Sequence, residues 1–384
     1  MVSVTDTLSF PIVRKAGRYY RPELDVLRLI AFLLVFLHHV FFRYPLEKQV
    51  VHTIAADVES NIANACAFGL CLFYFLSSYL ITTLLLIELN ETDGINVKEF
   101  YLRRVLRIWP LYIVGLSIGM VYALVYAAPE QFEMLCYYVA FLGNWFYQNH
   151  DWGSNLMTPL WSISVEEQFY LVLPLFVLAL GTTRLIWGGF GVVILSIAAL
   201  YYQGEQHLSV DTAIWTNTLS HAIFVGSGII VAVITYERLP KMNIRARLVA
   251  AAVAFILLFL SASVFKARAV EYASSGSAIA FGYMLVAVAC ALLLISLLNS
   301  DVTFPAPIVY LGKISFGLYV YHILAMRIAE RVFSPGASVP IPSAIADFCS
   351  LPLLVLYAAL SYRYIEAPFL RLKTKFTYVA SRPD

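Results

Sequence analysis

Arg28 and His39, two ionisable residues, share one apolar stretch of this 384-residue chain. They are eleven positions apart, so on an α-helix their side chains would lie about 20° apart around the axis and about 16 Å apart along it. In a membrane, one helical face would carry a guanidinium near a surface and an imidazole near mid-bilayer. Ionisable groups are costly at that depth and are usually functional. The pair therefore predicts acid–base chemistry inside a membrane.

Simpler interpretations of this stretch remain open. Arg28 could extend to the lipid headgroups or pair with Asp25, three residues earlier on the same helix. A buried histidine can also be satisfied by a hydrogen bond to another helix. Adjacent helical residues point about 100° apart, so His38 and His39 cannot share one face. We expect His39 to be the functional histidine and His38 to be a packing or secondary contact.

A second candidate site is the paired arginines of YLRRVLRIWP, residues 101–110. Arg104 and Arg107 are three positions apart and therefore neighbours on one helical face. Two guanidinium groups at a membrane entrance suit a phosphate-rich ligand, because each can bind phosphate through two hydrogen bonds. The alternative is the ordinary positive flank of a membrane span. Arg103 points elsewhere and is expected to be such a topological charge.

A third candidate is TPLWSISVEEQFYLVLPLF, residues 158–176. Glu166 and Glu167 lie in a run that otherwise predicts a membrane span, near its outer face. A carboxylate there could orient a sugar hydroxyl or hold an imidazole in one tautomer. The alternative is an interfacial helix start with both carboxylates in water. The surrounding polar and aromatic residues are typical of a carbohydrate-binding surface: Trp161, Ser164, Gln168 and Tyr170.

Two further motifs are less informative. His322 lies in YLGKISFGLYVYHILAMR (310–327), and we consider it a second candidate for substrate contact. A hydrogen-bonded core histidine explains it equally well. Glu366, in SYRYIEAPF (361–369), ends the last apolar run and could be a charge at the water boundary.

The composition indicates an integral membrane protein. The chain is 61% hydrophobic and 13% charged, against about 25% charged residues in soluble domains. A net charge of +2 gives no reason to expect nucleic acid as a partner. The five cysteines form no CxxC or Cys/His pattern, so neither a metal site nor a disulfide framework is predicted.

Ten apolar runs are long enough, or nearly so, to cross about 30 Å of hydrocarbon. They lie near 24–43, 64–88, 108–128, 160–180, 185–202, 213–235, 247–265, 277–298, 307–329 and 344–365. An eleventh run, 134–147, is short and interrupted. The Lys/Arg clusters fall on one side only if this run does not cross. The expected fold is an all-α polytopic membrane protein with about ten transmembrane helices in one bundle and a re-entrant or interfacial segment near 134–147.

The clusters place both termini in the cytoplasm, with Lys266 and Arg268 as outer-side exceptions. We expect one integral-membrane domain over 1–384: a cytoplasmic segment (1–23), the membrane domain (24–366) and a cytoplasmic tail (367–384). No attached soluble domain is expected. The polar, basic first 20 residues are unlike a cleavable signal peptide.

Six segments, in order, resemble the acyltransferase family 3 membrane proteins, which O-acylate bacterial sugars, lipopolysaccharide, exopolysaccharides and some macrolides. Arg28 and His39 match the family's Arg-x10-His spacing, and Arg104 and Arg107 match its Arg-x-x-Arg. The segments are ELDVLRLIAFLLVFLHH, LFYFLSSYLIT, FYLRRVLRIWP, LWSISVEEQFYL, LGKISFGLYVYH and YIEAPF.

The resemblance implies transfer of an acyl group, most often acetyl, from acyl-CoA to a hydroxyl of a glycan or glycolipid at the bacterial inner membrane. Arg28, Arg104 and Arg107 would hold the donor's phosphates. His39 would act as general base or form an acyl-His intermediate, and Glu166 or Glu167 would orient the acceptor or the imidazole. The competing class is a transporter or flippase for a sugar or lipid intermediate. Matching discontinuous spans in two halves would favour it, and the sequence shows no such repeat.

Overall fold

A computed structural model describes residues 19–43, 54–125, 130–150, 152, 155–268, 272–273, 275–333 and 343–379. The parts of the predicted cytoplasmic ends at 1–18 and 380–384 lie outside the described residues. The described residues form helices, and the only β-bridge among them is an isolated one between Ser209 and Tyr272. The predicted all-α polytopic fold is confirmed.

Fifteen α-helices follow one another in the part of the chain that the structure describes. They are α1 (Pro22–Arg43), α2 (Ile54–Ala67), α3 (Gly69–Thr92), α4 (Val97–Val125), α5 (Glu130–Val139), α6 (Gly143–Phe146), α7 (Trp161–Glu205), α8 (Thr218–Glu237), α9 (Ile244–Ser263), α10 (Gly276–Leu297), α11 (Ala306–Lys313), α12 (Ser315–Phe333), α13 (Ser343–Cys349), α14 (Leu351–Ser361) and α15 (Ala367–Lys373). The α3 helix is apolar on all sides and packs against α1, α7, α8 and α10, as expected for a helix at the centre of a bundle.

Eight stretches of the described chain are long and apolar enough to span a membrane, and α11 with α12, bent by 74°, makes a ninth. One of the eight contains α7, whose 45 residues would extend about 67 Å if straight. The helix instead folds back at Gly181, where φ is +61°. A Cβ placed on Gly188 would lie 2.8 Å from the Phe176 ring, a contact that requires the chain to reverse.

The two halves of α7, before and after Gly181, are called here its arms. The ends of the arms that lie away from Gly181 are close together, which confirms this hairpin. Trp161, at the start of the first arm, lies 6.4 Å from Trp215 between ring centroids. Gln203, near the end of the second arm, donates to Ser220 (3.3 Å), just five residues after Trp215. The arms 161–180 and 182–205 therefore match two separately predicted spans. Counted separately, they bring the nine candidates of the described chain to the ten that the sequence predicts.

Basic side chains collect at one end of the bundle, called here the basic end. Arg103, near the start of α4, donates to the carbonyl of Phe376 in the tail (2.8 Å). Arg247, near the start of α9, donates to the carbonyl of Asn299 (2.9 Å), whose amide donates to Glu23 of α1 (3.2 Å). The starts of α1, α4 and α9 thus meet the tail at one end, as the charge pattern requires. That this end faces the cytoplasm stays a prediction.

The short run 134–147 lies at the opposite end and is not a candidate span. Here α5 is followed by a turn in which Phe141 has a φ of +55°, and then by α6. The amide of Gly143 donates to Ser164 Oγ (3.2 Å), and Asn144 donates to the carbonyl of Thr216 (3.1 Å). This placement agrees with the predicted re-entrant or interfacial segment.

Candidate functional site: two cavities that meet inside the bundle

Two cavities enter the bundle from its two ends, and Leu70 and Tyr319 line both of them. The basic cavity, about 910 Å³ with its mouth, opens at the basic end. The histidine cavity, about 1190 Å³ with its mouth, opens at the opposite end. Cationic side chains of the basic cavity are Arg28, Arg104, Arg107 and Lys373. Polar and aromatic side chains of the histidine cavity include His38, His39, Arg268, Arg327, Trp152, Trp161 and Trp215.

The structure brings the three predicted arginines together in the basic cavity. Arg28 is held by Asp25 (Nη1–Oδ1 3.0 Å), the local ion pair that the spacing allowed. The Arg104 guanidinium lies 5.6 Å from the centre of the Tyr170 ring, and its Nε has no hydrogen-bond partner among the described residues. Lys373 of the tail adds a fourth cation. Positive charge is therefore concentrated where the cavity opens.

Arg103 behaves differently from its neighbour Arg104. Its guanidinium is buried and forms an ion pair with Glu88 of α3 (2.9 Å). It does not line the basic cavity. The prediction that Arg103 points elsewhere agrees with the structure, but a buried ion pair takes the place of the expected surface charge, because the end of α3 packs against the start of α4.

Glu166 lies deeper than the sequence suggests. It lines the basic cavity, where it accepts a hydrogen bond from the Tyr170 hydroxyl, which also contacts Ser77 Oγ. The first arm of α7 runs inward from Trp161, and five residues of helix move Glu166 about 7.5 Å from that end. The carboxylate expected near the outer face is thus among the arginines.

Ser164, Glu167 and Gln168 line neither cavity. Gln168 donates to the carbonyl of Phe141 and to Asn144 Oδ1 (both 2.9 Å), and Ser164 Oγ accepts from the amide of Gly143 (3.2 Å) in the same 141–144 turn. Residues four apart share a helical face: 162, 166 and 170 face the basic cavity, whereas 164 and 168 face α6. Ser164 and Gln168 therefore hold the 141–144 turn in place.

Gln168→Ala should lower stability without changing the affinity for a ligand of the basic cavity. It removes two donated bonds and the acceptor for Thr218 Oγ1 (2.5 Å), and each buried group left unpaired costs about 1–3 kcal/mol. Thermal unfolding and acetyl-CoA binding, measured on one preparation, separate the two effects. Gln206→Ala, at the exposed end of α7, is the control. Weaker binding at unchanged stability would contradict this assignment.

Of the two predicted functional histidines, His39 lines the histidine cavity, whereas His322, the second candidate for substrate contact, is buried behind it and does not line it. The rings of His39 and His322 are 4.9 Å apart between centroids. His39 is partly exposed and lines the cavity, whereas His322 is fully buried and bonds through Nδ1 to the carbonyl of Tyr319. His38 also lines the cavity and bonds to the carbonyl of Ala63 (2.8 Å). Arg28 and His39 thus lie on one helix but face two different cavities.

The structure adds residues that sequence reasoning missed. Tyr319 separates the cavities, and its hydroxyl bonds to Ser162 Oγ (2.7 Å) and to the carbonyl of Pro159 (2.9 Å). Arg268 and Arg327 line the histidine cavity. One signal for Arg268 was present, since it is an exception to the positive-inside pattern. A tyrosine in an apolar run carries no comparable signal.

The helices and the two polar cavities define a multi-pass membrane protein with a binding compartment toward each end. The acyltransferase domain family matches residues 21–363, nearly the whole chain. The chain belongs to this family, as its six motifs indicated. No solved structure matches it.

Several curated relatives align with most of the chain. The peptidoglycan O-acetyltransferase OatA of Listeria monocytogenes is 24% identical over 393 residues, covering 92% of this chain and 56% of the relative. The O-acetyltransferase OatA of Staphylococcus aureus (strain NCTC 8325) is 24% identical over 398 residues, covering 94% and 59%. A protein of strain MSSA476, provisionally named an O-acetyltransferase, is 25% identical, covering 91% and 57%. The chain therefore spans less than two thirds of these relatives.

Proposed function

We propose that this protein transfers an acetyl or other acyl group from acyl-CoA to a hydroxyl of a glycan or glycolipid. One observation carries the proposal: a cation-lined cavity and a histidine-lined cavity enter from opposite ends and share Leu70 and Tyr319. A donor and an acceptor on different sides of a membrane require two such compartments. The name of the Listeria relative favours a cell-wall glycan as acceptor.

The basic cavity has the chemistry that a CoA donor needs. Arg28, Arg104, Arg107 and Lys373 supply positive charge for its phosphates, and a guanidinium binds phosphate through paired hydrogen bonds. The Nε of Arg104 can donate to such a ligand. The lining also includes apolar side chains, among them Leu70 and Phe73, which suit a thin thioester arm.

In the histidine cavity, His39 would take the proton of the acceptor hydroxyl. The hydroxyl oxygen forms a bond to the acyl carbon, the carbon–sulfur bond breaks, and the proton on His39 passes to the departing thiolate. General-base catalysis of this kind contributes about 10²–10⁴ in rate. An acyl-His39 intermediate would divide the same exchange into two steps.

The experiment uses the full chain in proteoliposomes with radiolabelled acetyl-CoA and cell-wall glycan. We expect label in base-labile esters of the glycan. Release of free acetate alone, at the same rate with and without glycan, would contradict the proposal. Label trapped on protein without glycan, and lost when glycan is added, would identify the two-step route.

Leu70→Trp should reduce transfer about 10²-fold while acetyl-CoA affinity stays unchanged. Leu70 lines both cavities and is 7% exposed, so a larger ring fills the junction, and small misplacements of reacting groups have effects of that size. Transfer and binding assays on the same preparation give the answer. Leu356→Trp, on an exposed face of α14, is the control. Normal transfer by the Leu70 variant would show that the acyl group does not pass there.

A further inference from the structure

We infer that the histidine cavity selects an acceptor with an anionic group, a carboxylate or a phosphate, beside the reacting hydroxyl. The inference rests on the proposed function, since it names the class of acceptor. Its first support is charge. The cavity lining includes the two permanent cations Arg268 and Arg327, and none of its described lining residues is acidic. Arg268 pairs with Asp211 and Arg327 pairs with Glu330 (3.6 Å), but neither carboxylate lines the cavity. Guanidinium groups beside a cavity that has no lining carboxylate favour a ligand that brings its own negative charge.

Arg268 is held in place from behind. Its side chain is 5% exposed and pairs with Asp211, which does not line the cavity. The second oxygen of Asp211 accepts a hydrogen bond from Trp152 Nε1 (2.9 Å), and the guanidinium lies 4.8 Å from the centre of the Trp215 ring. A cation fixed before the ligand arrives loses little conformational freedom on binding.

Several hydrogen-bond donors of residues that line the histidine cavity have no acceptor among the described residues. Among the described residues, Arg268 Nε, Arg327 Nε and Asn155 Nδ2 are buried without a hydrogen-bond partner, and all three residues line the histidine cavity. Buried polar groups are normally satisfied, so three unmet donors around one cavity call for an explanation. Carboxylate and phosphate oxygens accept hydrogen bonds without donating any, and small rotations of these side chains would bring the donors to them.

The same cavity has surfaces for a sugar ring. Trp152 and Trp161 are 6.1 Å apart between ring centroids, and Trp161 and Trp215 are 6.4 Å apart. Indole rings offer a flat apolar face together with one donor, which matches the C–H face and hydroxyls of a pyranose. A neutral sugar would use the aromatic rings but would leave both guanidinium groups without a counterion from the ligand. An acidic sugar would contact the aromatic rings and would also supply the guanidinium groups with a negative charge.

The test is equilibrium binding to the full chain in nanodiscs of zwitterionic lipid, without acyl donor. The probes are a glucuronic-acid-containing tetrasaccharide, the same sugar with its carboxyl reduced to a hydroxymethyl group, and a 6-phosphorylated neutral counterpart. We expect at least one anionic probe to bind about 10- to 100-fold more tightly than the reduced sugar, the range that a charged hydrogen-bonded pair supports. The tighter of the two anionic probes identifies the anion.

Arg327→Gln and Arg268→Gln should each remove most of this preference, and Arg268→Lys should retain part of it. Arg268→Gln removes the cation that pairs with the buried Asp211 and can impair folding, but the Arg327 side chain is 38% exposed, so its variant keeps the test decisive. Lys266→Gln, an exposed cation two residues from Arg268, should leave the preference unchanged. Equal binding of anionic and reduced sugars, or binding of none, overturns the inference.

The outcome is separable from that of the proposed function. Binding is measured without acetyl-CoA, so a protein that prefers anionic sugars but transfers no acetyl would contradict only the proposed function. A protein that acetylates the acidic and reduced sugars with equal kcat/KM would overturn only the inference.

Discussion

His39→Ala should lower the rate of acetyl transfer about 10²- to 10⁴-fold, the usual contribution of a general base. His39 lines the histidine cavity, while the arginines proposed to bind the donor lie in the other cavity. The affinity for acetyl-CoA should therefore stay unchanged. The measurement pairs kcat for transfer with a binding isotherm for acetyl-CoA.

The matched control is His207→Asn, because His207 is an exposed histidine at the same end of the bundle. Its φ is +51°, a backbone conformation that asparagine tolerates. This variant should retain full activity. His39→Gln should be as inactive as His39→Ala, because an amide fills the space but takes up no proton. Full turnover by either His39 variant would show that another group accepts the proton.

Arg104→Ala, and separately Arg107→Ala, should weaken acetyl-CoA binding about 10- to 100-fold, corresponding to about 1.5–3 kcal/mol for hydrogen bonds to a charged group. Both line the mouth of the basic cavity. The loss should shrink in high salt, since screening already weakens the interaction in the parent protein. Titration of acetyl-CoA at two ionic strengths measures both effects.

Lys98→Ala provides the control on the same helix, because Lys98 is exposed and does not line the cavity. A second ligand, acetyl-pantetheine, lacks the nucleotide phosphates and should bind the Arg104 and Arg107 variants as well as the parent. If both variants bind acetyl-CoA normally, these arginines serve only to orient the chain in the membrane.

Much of the architecture was predictable, because it follows from the transfer of apolar side chains from water into the bilayer and from the distribution of charged residues. Apolar runs of sufficient length located the spans, and the Lys/Arg distribution excluded a crossing at 134–147. The hairpin at Gly181 was predictable as two runs, but the turn itself was not. The basic cavity was predictable in part, because Arg104 and Arg107 are neighbours by helical spacing alone.

Other features depend on how each helix is rotated about its own axis. The sequence of a helix that is apolar on all sides specifies this rotation only weakly. Glu166 and Glu167 were equivalent candidates from the sequence, but helix packing directs only the Glu166 side chain toward a cavity. Ser164 and Gln168 have the composition of a sugar site, yet they bond to the 141–144 turn. Tyr319 gave no signal because its position between two cavities arises from contacts between α3, α7 and α12.

The Tyr319 hydroxyl is tied to Ser162 and to the Pro159 carbonyl, and its ring stands with Leu70 between the cavities. Leu70 and Tyr319 thus occupy the route by which ions would have to pass from one cavity to the other, and their bulk opposes a leak across the membrane. A bulky nucleotide, such as that of the proposed donor, would not pass these two side chains. Permeability, as much as chemistry, therefore constrains the residues at this junction.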